Sequence, residues 1–165
     1  MERRSRVPKP DAAHARRVAD ALNRRIELHT CRQHHTMLRH ILNEFPSKAP
    51  APGAAMMMLL SRLRAILLRH LKLEDDYVYP ALVQSPDEHL RTSARTFRLE
   101  MGGVLRAFED FEKRWPHAEA IDADLEQFWN EWQPLRRALE ARMHAEDSGL
   151  YKDAEAYFTE ILSEG

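Results

Sequence analysis

Residues 63–82 read LRAILLRHLKLEDDYVYPAL, and residues 135–154 read LRRALEARMHAEDSGLYKDA. At an offset of 72 the two segments match at Leu63/Leu135, Arg64/Arg136, Leu67/Leu139, Glu74/Glu146, Asp75/Asp147 and Tyr79/Tyr151. Each places apolar residues every three or four positions, the period of an amphipathic helix. A weaker match at an offset of 66 pairs Leu38 with Val104, Leu42 with Phe108 and Phe45 with Phe111. Two helices in the first half thus resemble two in the second, so the chain reads as two helical hairpins.

The flanking punctuation agrees. Pro8 and Pro10 precede Asp11, a candidate N-cap, and helix-forming sequence then runs unbroken to Phe45. The next residues, PSKAPAPG, are a loop by composition, and helical periodicity resumes from Ala54 to about Val83, with Pro80 expected to end or bend the helix. Ser85-Pro86-Asp87-Glu88 has the form of a capping box, with Ser85 as N-cap and proline at the first helical position. The helix it opens carries Phe97, Met101, Val104, Phe108, Phe111 and Trp115 on one stripe and stops before Pro116. A fourth helix is expected from Asp122 or Asp124 to about Asp147, kinked by Pro134, and a shorter terminal helix over residues 150–163. The predicted fold is all-α: an antiparallel up-down four-helix bundle over residues 21–165, with a basic N-terminal arm at 1–20 and a short C-terminal helix.

Composition narrows the alternatives. The chain has 165 residues, a single cysteine and five glycines, with 31% charged residues. An internal disulfide is impossible, and the scarcity of glycine argues against sandwiches, barrels and Gly-rich nucleotide folds. No apolar run reaches the length of a membrane span, and the start MERRSRVPKPD lacks the apolar core of a signal peptide, so a cytoplasmic protein is expected. The net charge of −1 attracts neither nucleic acid nor membrane as a whole. The eight basic side chains of residues 1–25 leave a contact with a protein partner open. Oligomeric state, including a homo-oligomer, is likewise left open.

The chemistry lies in the repeated Glu-Asp pair. His70 and Glu74 stand at i and i+4, on one helical face with head groups able to meet at a common point. His70 borders the apolar stripe, and burying a carboxylate there without a cation or donor costs several kcal/mol, so a partner is required. On the first helix, Cys31, His35, Leu38, Leu42 and Phe45 form a stripe with His34 on its flank, so one of the two histidines looks inward, and the stripe favours His35. Cys31 reads as a small buried hydrophobe. Tyr79 and Tyr151, at matched ends of the repeat, could bond to buried carboxylates. Gly102-Gly103 inside a helix implies either close helix packing or room for a small ligand. Trp115, Trp129 and Trp132 read as closing one end of the bundle.

Taken together, His34-His35 on one helix, HLKLEDDYVYPAL on the next and MHAEDSGLY ending a second hairpin resemble the hemerythrin-like, or HHE cation-binding, domain family. The resemblance spans about residues 25–155. It implies a four-helix bundle holding non-haem iron between its helices, meeting dioxygen, nitric oxide or iron itself. The family pattern repeats the histidine ligands in the second hairpin. In this chain, the third-helix position falls at Glu100 or Met101, and Arg142 replaces the fourth-helix histidine. The ligand set implied is His34 or His35, His70, Glu74, Glu100 and Glu146, with Asp147 either a ligand or a group that orients one.

The function expected is therefore metal binding, by mono- or dinuclear iron or else manganese or zinc, in oxygen, nitric oxide or iron sensing, storage or repair. No residue identifies a substrate, and an enzyme is not specified. The alternative is a metal-free bundle that binds a protein partner, with the Arg142 guanidinium neutralising Glu74, Glu100 or Glu146.

Overall fold

The computed structural model describes residues 11–48 and 51–163. Helix α1 (Ala12–Glu44) opens on Asp11, whose side chain accepts from the Ala13 N–H. Helix α2 (Gly53–Leu73) continues through a π-helical turn at Glu74–Val78 into α3 (Tyr79–Val83). Helix α4 (Glu88–Arg114) is followed by the short α5 (Ala118–Ala123). Helix α6 (Leu125–Ala145) continues through a second π-helical turn at Glu146–Leu150 into α7 (Tyr151–Ser163). Four long rods result, and no strand is present among the described residues. Of the arm assigned to residues 1–20, residues 1–10 lie outside the described residues, and Ala12 onward is already helical.

Contacts between rods fix their directions. His35 lies against His70 while Glu44 pairs with Arg62, so α1 and α2 run in opposite senses. Arg32 meets Glu155 and Phe45 meets Trp132, so α1 is also antiparallel to the α6–α7 rod. Arg142 reaches Glu100 whereas Trp115 donates to Glu131, giving the same relation between α4 and α6. This is the expected all-α bundle.

Local details depart from the sequence reading at three points. Asp87, not Ser85, caps α4, accepting from the His89 and Leu90 N–H groups, while the Ser85 hydroxyl accepts from the Asp87 N–H. The helix therefore begins after the proline, because a carboxylate two residues closer satisfies its free amides. Helix α5 was not foreseen; its first residue packs onto the start of α2, where a side chain on Gly53 would sit 2.2 Å from the Ala118 carbonyl oxygen. The Gly53 N–H donates to Asp122 at 2.7 Å, so the glycine permits this close approach. Gly102 and Gly103 have no neighbour within 4 Å of an added Cβ, so close packing does not account for them.

The interior is layered. At the α5 end, Leu42, Leu63, Phe108, Phe128 and Trp132 form one apolar cluster, with Phe45 stacked on Trp132 at 4.4 Å. At the other end, Leu28, Cys31, Val78, Leu82, Leu90 and Phe158 form a second. Between them lie the buried polar side chains His35, His70, Glu74, Arg142 and Glu146. Ion desolvation in such a layer is costly, so each group needs a partner, and their arrangement reveals which have one.

Candidate metal centre

The two π-helical turns begin at Glu74 and Glu146, the matched glutamates of the repeat. Each is closed by a backbone bond five residues back, from Tyr79 N–H to Glu74 O and from Tyr151 N–H to Glu146 O. In an α-helix, residues five apart point about 140° from one another. The widened turn adds a residue and turns glutamate and tyrosine toward the same interior, and all four side chains are buried. The chain keeps this feature twice, although nothing in hydrophobic periodicity announces it; the recurring Glu-Asp-x3-Tyr spacing is its sequence signal.

Three side chains from three rods converge. His35 Nε2 lies 3.1 Å from His70 Nε2 and 3.1 Å from Glu146 Oε2, and His70 Nε2 lies 3.8 Å from the same oxygen. Donor atoms about 2.0–2.2 Å from one ion stand about 3–3.5 Å apart at tetrahedral or octahedral angles, so the triangle is close to that of a ligand set. His35, His70 and Glu146 thus form a buried group able to hold a metal ion. Glu74 adjoins it, with Oε2 at 3.6 Å from His70 Nε2.

The tautomer of His35 sharpens the argument. Its Nδ1 is 2.9 Å from Asp147 Oδ1, and an ionised carboxylate only accepts, so Nδ1 carries the proton. In the neutral ring Nε2 then presents a lone pair toward Glu146 Oε2 and His70 Nε2. Lone pairs facing one another call for a proton or a cation between them. Asp147 is in turn held by Arg39, which donates to Oδ2 at 2.6 Å. A carboxylate orienting a histidine ligand is the usual support of a metal site. Arg39 is a contributor that the sequence reading missed.

Unsatisfied groups point to the same place. Glu74 Oε2, Glu146 Oε2 and His70 Nδ1 are buried without a hydrogen-bond partner. Two orphaned carboxylate oxygens beside two imidazoles suit a cation, and the donor set of nitrogen and oxygen is one that iron, manganese or zinc accepts. Burial pushes Glu74 well above the usual carboxylate range, reinforced by the charge of Glu146 and opposed by the hydroxyl of Tyr151, which donates to Glu74 Oε1. Burial would raise Glu146 too, but in the metal-free bundle a proton shared with the imidazoles of His35 and His70, together with the Arg142 guanidinium, outweighs it and holds the carboxyl down at about 2. Burial lowers His70, keeping it neutral and able to coordinate.

The remaining expected residues are placed as follows. His34 lies on the flank of α1, its ring 6.0 Å from that of His70 and outside the convergent group. Glu100 is on the exposed side of α4, and its carboxylate meets Arg142 Nη1 at 3.2 Å. Arg142 also donates to Glu146 Oε1 at 2.5 Å, to the Phe97 carbonyl at 2.6 Å and to the Tyr79 hydroxyl at 3.1 Å. The tyrosines therefore both serve the polar layer, but only Tyr151 bonds a carboxylate; Tyr79 accepts from the guanidinium. Cys31 is fully buried, and burial raises its thiol pKa further, as for an inert core residue.

The model of the hemerythrin HHE cation-binding domain matches residues 12–154 of the chain. No curated protein and no solved structure matches. Among the described residues no helix is long and apolar enough to cross a membrane.

Proposed function

The chain belongs to the hemerythrin HHE cation-binding family, and from that premise we propose that it is a non-haem iron protein whose metal is held by His35, His70, Glu146 and Glu74. The observation that carries this reading is the Asp147-oriented His35 Nε2, aimed at His70 Nε2 and at an otherwise unpartnered Glu146 oxygen. Iron bound there would supply one-electron redox chemistry and affinity for a small diatomic molecule. The protein's own residues do the rest. Asp147 keeps the His35 lone pair turned inward, Tyr151 holds one oxygen of Glu74 and leaves the other free, and the apolar clusters on both sides exclude bulk water. A cavity of about 10 Å³ lies beside His70, Arg142 and Glu146, walled otherwise by apolar side chains such as Leu38, Leu67 and Met101. That is about the room one molecule the size of water needs, so the ligand that fits beside the metal is a small one such as oxygen or nitric oxide. Sensing or handling of such a molecule is the role this architecture fits best.

One observation favours a second reading. Arg142 already neutralises Glu146 through Oε1, as a metal-free salt-bridged bundle with a protein partner would require. It leaves Glu74 Oε2 and Glu146 Oε2 unanswered, and the first reading accounts for both. Elemental analysis of the full chain purified from iron-supplied cells, with its visible spectrum, separates the two. Stoichiometric iron with charge-transfer absorption is the expected result. Colourless protein without bound metal that also fails to take up iron(II) under argon overturns the proposal.

A further inference from the structure

The repeat that places the ligands also gives each one a counterpart. At the offset of 72, His70 corresponds to Arg142, Glu74 to Glu146 and Tyr79 to Tyr151. At the offset of 66, His35 corresponds to Met101, which is buried on α4. Both halves keep the glutamate, the tyrosine and the π-helical turn. Only the first half keeps the two imidazoles. From this we infer that the centre takes one metal ion and that the Arg142 guanidinium permanently fills the place of a second. The inference rests on the metal-binding reading above.

The contacts of Arg142 are those of a built-in group. Its side chain is 6% exposed, spans Glu146, Tyr79, Glu100 and the Phe97 carbonyl, and lies over the Phe97 ring at 4.5 Å. Glu146 is divided by this arrangement: Oε1 accepts from the Arg142 guanidinium, and Oε2 faces His35 and His70, where the metal ion would lie. A carboxylate bridging two ions gives one oxygen to each, and here the second oxygen is occupied by a group that never deprotonates in proteins. Met101 offers a weakly coordinating thioether where the first half has imidazole, a poor exchange for a hard ion.

Charge points the same way. The charged groups at the centre are the acids Glu74, Glu146, Asp147 and Glu100 and the guanidinium groups of Arg142 and Arg39. One divalent ion together with the two guanidinium groups balances those four carboxylates. A second divalent ion would leave two positive charges uncompensated in a layer bounded by apolar clusters on either side.

Stripping the full-length protein of metal and titrating it with manganese(II) alone tests this by counting. The native chain is expected to retain one ion, with the electron paramagnetic resonance of an isolated manganese(II). The double variant Met101→His/Arg142→His, checked for helicity by circular dichroism, is expected to retain two, with an exchange-coupled signal. Two ions in the native chain overturn the inference and leave the metal-binding proposal standing; none overturns both. A folded double variant that still holds a single ion overturns the role given to Arg142. The native count decides nuclearity whether or not the variant folds.

Discussion

Asp147 Oδ1 lies 2.9 Å from His35 Nδ1 and so determines which nitrogen of His35 faces the centre of the bundle. The two residues are 112 positions apart, on α1 and in the second π-helical turn. Their contact converts an ambiguous buried histidine into a directed electron-pair donor.

Asp147→Asn should weaken metal binding by about 10–100-fold, the usual cost of losing the carboxylate behind a histidine ligand. The amide can donate to Nδ1, which favours the tautomer with the proton on Nε2 and blocks the lone pair. Competition titration with a chromophoric chelator measures the change. Affinity within twofold of native would mean that His35 is not a ligand.

His70→Ala and Glu74→Ala should each abolish the stabilisation that metal confers. At an ion concentration 100 times its Kd, a native-state ligand adds about 2.7 kcal/mol, or about 5–10 °C in Tm for a domain of this size. Thermal melts of native and variant protein with and without manganese(II) read this directly. A metal-dependent rise in Tm that survives in both variants would remove these residues from the site.

Arg142→Leu should destabilise the metal-free protein by about 3–5 kcal/mol, because it leaves the Glu146 carboxylate buried without its cationic partner. Urea unfolding is the measurement. A loss below about 1 kcal/mol would show that Glu146 is not ionised in the empty bundle.

The pH dependence of the metal-free protein should carry opposite signatures from the two glutamates. Glu146 is depressed to about 2, so its contribution is present above the usual glutamate value of 4.5 and lost as pH falls from there toward 2. Glu74 is raised, so the folded state favours its protonated form, and stability falls as pH climbs above 4.5 toward its folded value. Relative to native, Glu146→Gln should flatten the acid side of the profile and Glu74→Gln the side above 4.5. Unfolding curves collected across pH that show both variants parallel to native would contradict this assignment.

Much of the architecture was legible in the order of residues. Periodic leucines, proline and glycine punctuation and the offset of 72 specify four rods in two hairpins, because helix formation and amphipathic burial depend on local spacing. His70 and Glu74 were legible for the same reason: four residues apart on a helix is a statement about one face. Glu146 followed from the repeat. Helix α5 and the start of α4 at Glu88 were not, since each depends on which of several competing caps and contacts prevails.

What the sequence alone determined was therefore the set of rods and the types of group each can present. Tertiary structure decided which of those groups meet. The stripe on α1 already favoured His35 over His34, which is about 100° away around the helix, but only the packing of α2 and the second π-helical turn gives His35 its partners His70 and Asp147. On α4 the stripe likewise put Met101 inside, and what the fold added is that the surface carboxylate of Glu100 reaches Arg142. Arg142 could have neutralised any of three carboxylates, and the geometry of the folded bundle gives it Glu146 and Glu100 while leaving Glu74 to Tyr151. Such choices turn on angles and distances between rods, which local periodicity does not encode.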